Sequence, residues 1–123
     1  MKKSTVLLIL TWMLSTSIYG EERYPVSLIS LIVKPEEYLG KNITVMGYLR
    51  DSQLYLNESS AEFSDIPSSI DVIDDTKGGD IITSCNNRYV AVFGKFNKHQ
   101  ETYEIKDIVR VRDAKTVKRC WEK

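Results

Sequence analysis

The chain has 123 residues, with 17 basic and 17 acidic side chains, 42% hydrophobic content, one His and two Cys. That is one domain's worth of chain, too short for two separate cores. A formal charge of zero lacks the basic excess of a general nucleic-acid binder, and ordinary apolar content with 28% charged residues excludes a disordered chain.

Met1-Lys2-Lys3 is a short basic start, Thr5 to Leu14 is an apolar run broken only by Thr11, and Ser15 to Gly20 turns small and polar. That order is the pattern of a secretory signal peptide over residues 1–20, with an apolar core short for a spanning helix; an uncleaved N-terminal membrane anchor is the alternative. Removal of the first 20 residues leaves one domain, 21–123, of 103 residues with 15 basic and 17 acidic side chains. A mildly acidic exported domain, periplasmic or secreted, has no electrostatic reason to seek nucleic acid or anionic lipid. No later segment is apolar for long enough to span a bilayer, so no stable membrane insertion is expected after cleavage.

Tyr24 to Gly40 reads as a short helix and a further helical turn, with Ser27 as cap and Leu28, Leu31 and Ile32 at helical spacing. Pro35 ends the first helix and opens the next turn, and Gly40 is a left-handed stop. Lys41 to Arg50 alternates as a strand, with Ile43, Val45, Gly47 and Leu49 on one face. Gln53 to Asn57 is a second strand, Asn57 to Ser64 a short helix capped by Asn57, and Ile70 to Asp74 a third strand. After the break at Thr76 to Gly79, Asp80 to Asn86 makes one or two helical turns. Arg88 to Asn97 alternates again, with Val90, Val92, Gly94 and Phe96 on one face, and Thr102 to Arg112 is the fifth strand. The remainder, 113–123, is a polar tail ending near Cys120-Trp121.

Cys85 and Cys120, an even pair in an exported small domain, are expected to form one disulfide that staples this tail. On the chain-entropy model such a bond contributes roughly 3–4 kcal/mol. Two free buried thiols are the alternative, and an oxidising compartment argues against them. The first and fourth strands share the pattern apolar-x-Val-x-Gly-x-apolar at Ile43 to Leu49 and Val90 to Phe96. A glycine on the inward face of a long strand marks a bend or a close backbone approach, which suits a small coiled barrel better than a flat sheet.

Five strands, short helices before the first and around the third, and glycine-bent strands one and four resemble an OB-fold. More specifically, Val26 to Leu49 (VSLISLIVKPEEYLGKNITVMGYL), Leu54 to Phe63, Arg88 to Phe96 and the Ile105 to Ile108 strand resemble the small exported bacterial OB-fold proteins of unassigned function. The resemblance implies an all-β, five-stranded Greek-key barrel with a short N-terminal helix and short connecting helices. It brings no catalytic motif.

His99 has Glu101 nearby but no nucleophile motif, and reads as a solvated loop histidine. Asp71, Asp74, Asp75 and Asp80 lack calcium-loop spacing, two Cys with His99 lack zinc spacing, and no metal or cofactor is expected. The triplets at Asn42 and Asn57 match glycosylation acceptors by coincidence. Tyr48, Tyr55, Phe93 and Tyr103 fall on the non-glycine faces of their strands by alternation, with Arg50 beside Tyr48. These five residues form a partner-binding patch, or else the aromatics are covered by helices and tail. Trp121 packs the tail beside the disulfide.

The reading that results is a non-enzymatic exported binding module. Its partner is a protein or other extracytoplasmic ligand, and it takes the form of an immunity or inhibitor protein by analogy with other small exported domains. The alternative is a sugar- or ligand-binding oligomeric OB module of a secreted assembly.

Overall fold

Alternation decides the strands. In β2 (Asn42–Arg50), Ile43, Val45, Gly47 and Leu49 point inward and are buried, and in β5 (Arg88–His99) so are Val90, Val92, Gly94 and Phe96. The two strands pair antiparallel from Asn42↔Lys95 to Leu49↔Arg88, which sets both glycines on the inner side. These strands belong to a computed structural model that describes residues 24–123; the expected signal segment 1–20 lies outside the described residues.

β3 (Gln53–Tyr55) returns from β2 through the Asp51-Ser52 turn, and β4 (Ser69–Val72) pairs antiparallel with β3. β4 meets β6 (Thr102–Asp113) in parallel, and β6 forms a long hairpin with β5. Because β5 also pairs with β2, the order β2-β3-β4-β6-β5 closes on itself. Among the described residues, the protein is a closed five-stranded β-barrel of OB type, with two extra strands and only short helices.

The extra strands, β1 (Tyr24–Val26) and β7 (Arg119–Glu122), lie where helix and polar tail were expected. Their place has a physical reason. β3 covers β2 only at residues 48–50, and β1 pairs in parallel with the uncovered stretch from Ile43 to Val45. β4 covers β6 only at residues 104–105, and β7 pairs with the stretch from Arg110 to Arg112. Each short barrel strand leaves part of its neighbour's edge open, and each added strand satisfies those backbone groups.

Three helices fill the remaining gaps. Ser27 accepts a hydrogen bond from the Ser30 N–H and starts α1 (Leu28–Val33), which buries Leu28 and Leu31; Pro35 opens the following 3-10 turn. Asn57 accepts from the Ser60 N–H and starts α2 (Glu58–Glu62). α3 (Asp80–Cys85) adds Ile81 and Cys85 to the core around Phe96, Leu49, Leu54 and Ile105. Cys85 and Cys120 are joined with their Cα atoms 5.5 Å apart, tying α3 to β7. Trp121 is half-buried against the core, so pairing, packing and the bond together hold the tail.

Candidate functional site

The five aromatic and basic residues of the expected patch occupy three separate places. At the first, Tyr48 and Tyr55 are each only 5% exposed and pack with Ala61 of α2, and Tyr89 closes the cluster edge-on to Tyr48 at 5.1 Å. The Tyr89 hydroxyl accepts the Glu58 N–H, which pins α2 down. Arg50 donates from Nε to Asn87 Oδ1 (2.8 Å) and from a terminal nitrogen to the Tyr48 hydroxyl (3.3 Å). The covered reading therefore holds for Tyr48 and Tyr55: their rings face α2, and Arg50 is spent on holding the neighbouring loop.

Tyr103 lies elsewhere, and its alternation differs from the expectation. It shares parity with the buried Ile105, and its ring stacks on that of Phe96 at 5.7 Å, packed against the core. Its hydroxyl donates to Glu36 Oε1 at 2.5 Å, with Lys98 5.3 Å from the ring centroid. The hydrogen bond to Glu36 raises the phenol above its usual range, burial and the Glu36 charge add to this, and Lys98 opposes it.

Phe93 occupies the third place, the outer face of the β5–β6 pair. Its ring lies under two guanidiniums, Arg110 at 4.4 Å and Arg112 at 5.3 Å from the centroid. The register sets Arg110 opposite Phe93, Arg112 opposite Ala91 and Lys106 opposite Lys95, so these four cations share this face, with Arg119 across from Arg112 and Glu104 across from Asn97. Among the described residues none of the four has a hydrogen bond or ion pair with a carboxylate. The Nε of Arg110 is buried without a partner. The carboxylate across the ladder from Arg110 is Glu122, and it is taken by Arg119 at 2.7 Å. Lys95 and Lys106 are like charges set directly opposite each other on the sheet, an arrangement that opposes folding.

The remaining carboxylates and the histidine are structural or dispersed. Burial pushes the Asp74 carboxyl up, but hydrogen bonds from the Thr76 hydroxyl and from the N–H groups of Ile82, Thr76 and Ile81 outweigh it and hold the group below the usual carboxylate range. It thereby organises the start of α3. Hydrogen bonds from the Thr116 and Lys115 N–H groups likewise lower Asp113, which also faces Arg88 at 3.5 Å. Beside the tyrosine cluster, Glu58, Arg88, Tyr89, Asp113 and Lys115 line a polar notch of about 340 Å³. His99 is exposed on the β5–β6 hairpin. No group of three or more His, Cys, Asp or Glu side chains among the described residues is placed to hold a metal ion.

Comparison with known proteins finds no matching family model, no matching curated protein and no matching solved structure. The site therefore rests on geometry. Sequence reading reached Phe93 and missed Lys95, Lys106, Arg110 and Arg112. A signal for them was present: eight carboxylates and one cation fall between Asp51 and Asp80, whereas ten cations and five carboxylates fall between Arg88 and Lys123. A net charge of zero concealed that segregation.

Proposed function

We propose that this chain is a non-enzymatic, exported binding module whose partner is an extracytoplasmic protein, engaged through the outer face of β5 and β6. One observation carries the reading: Phe93 sits under Arg110 and Arg112, and beyond that ring neither guanidinium is paired with a carboxylate among the described residues. Aromatic and arginine side chains dominate the energetics of protein interfaces, and an arginine held over a ring loses less freedom on docking. The disulfide supports an oxidising compartment, and among the described residues no helix is long and apolar enough to cross a membrane. If the partner is an exported enzyme, the module acts as an inhibitor of the immunity type.

A second reading has its own observation. The notch lined by Tyr89, Glu58, Arg88 and Asp113 combines an aromatic ring with hydrogen-bonding groups, which suits a sugar or small polar ligand of an oligomeric module. Native mass spectrometry of the protein, isolated from its own cells at native level, tests the two. A complex of this chain with a different polypeptide is expected. A homo-oligomer alone supports the second reading, and a monomer alone contradicts both.

A further inference from the structure

The cationic face also indicates what its partner carries, and this step rests on the binding reading above. We infer that Lys95, Lys106, Arg110 and Arg112 form a docking surface for a carboxylate-rich protein segment. Arg110 and Arg112 lie two apart on one strand face, so their Cα atoms repeat at about 6.7 Å. Carboxylates on alternate residues of an extended chain repeat at the same spacing, and each guanidinium pairs with one carboxylate through two parallel hydrogen bonds. Lys95 and Lys106, opposite one another on the ladder, extend the row of cations from these arginines. Across the strand direction, β6 already has partners on both edges, so recognition is by side chains and not by an added strand.

The same features disfavour a nucleic-acid strand. Binding single strands relies on aromatic faces open to base stacking, and the Phe93 face is occupied by Arg110 at 4.4 Å. A long polyanion also needs a basic track, and the stretch from Asp51 to Asp80 makes another part of this molecule strongly acidic. A compact acidic segment meets the cations without crossing that region.

Fluorescence anisotropy of the full chain with a short labelled poly-L-glutamate peptide tests the inference. Saturable binding is expected, weakening at least about tenfold between about 50 and 250 mM NaCl as the contacts are screened. Arg110→Ser with Arg112→Ser should weaken it by about tenfold or more. Lys95→Gln with Lys106→Gln should do the same and leaves the two arginines that lie over the Phe93 ring in place, so an unfolded arginine variant does not leave the question open. Lys77→Gln removes an exposed cation from the acidic stretch and should change nothing. Absence of binding, an equal loss with Lys77→Gln, or tighter binding of an oligothymidine overturns the inference. If native mass spectrometry nonetheless finds a foreign partner, the binding reading survives and only its acidic character fails.

Discussion

At the scale of single residues, Gly47 and Gly94 show why two strands can cross this barrel so closely. A Cβ on Gly47 would lie 2.7 Å from both the Tyr55 carbonyl oxygen and the Leu54 Cγ, and one on Gly94 would lie 2.9 Å from the Lys106 carbonyl oxygen. Backbone atoms cannot rotate away as a side-chain tip can. Alanine at either position should therefore destabilise the protein by about 1–3 kcal/mol, read from urea denaturation, with Gly94→Ala also disturbing the bulge opposite it in β6. Unchanged stability in both variants would mean that the strands do not approach so closely. Both glycines were legible in the sequence because they interrupt an apolar row at the same step of two strands. The role of Asp74 is not legible in the sequence, since nothing there indicates which backbone N–H groups a carboxylate will meet. With the folded-state carboxyl held below its ordinary value, its stabilisation is present above the unfolded pKa of roughly 4 and is lost as pH falls through the lower folded value. The Ile82 amide, bonded to Asp74 Oδ2 at 3.0 Å, should exchange faster below about pH 4 after correction for intrinsic rates, and Asp74→Asn should abolish that pH dependence.

At the scale of elements, the strands and caps that depend on local pattern were readable, and those that depend on a distant edge were not. Ser27 and Asn57 cap helices where local chemistry places them. Asn57→Ala should lower stability by about 1 kcal/mol and loosen α2 over Tyr48 and Tyr55, seen as increased tyrosine accessibility. β1 and β7 had no such local signal. Three residues containing Pro25, and a tail of mixed charge, become strands only because β2 and β6 each leave an edge uncovered. The disulfide was legible from two cysteines in a chain with an export signature, but the strand it joins was not. Replacing Cys85 and Cys120 together by Ser should cost about 2–4 kcal/mol. Because β7 pairs with β6 and Trp121 packs on the core, proteolysis should sever the tail only slowly in that variant. Immediate loss of the tail would show that the bond alone retains it.

At the scale of the whole molecule, the sequence defines a barrel whose charge is divided between its halves, and the division follows the chain. The stretch from Asp51 to Asp80 holds eight carboxylates and one cation, and the stretch from Arg88 to Lys123 ten cations and five carboxylates. Placing Lys95 opposite Lys106 sets like charges in direct register, which opposes folding. Lys106→Glu should therefore leave thermal stability unchanged or raise it, with a reversible melt as the readout; a clear fall in Tm would assign the lysine to the fold. Phe93 of the candidate site was legible as an outward aromatic, but alternation alone grouped it with Tyr48 and Tyr55, which α2 buries, and with Tyr103, which faces the core. Grouping a site requires knowing what each helix covers, and that is settled by packing. The central claim is that the outer face of β5 and β6 is where this module meets its partner. Site-specific photo-crosslinking in the native cells tests it most directly, with the reactive side chain at Lys95 in one strain and at Lys77 in another. A discrete adduct of one partner at position 95, absent at position 77, is the predicted result; an adduct at position 77 alone, or no adduct at either, would contradict it.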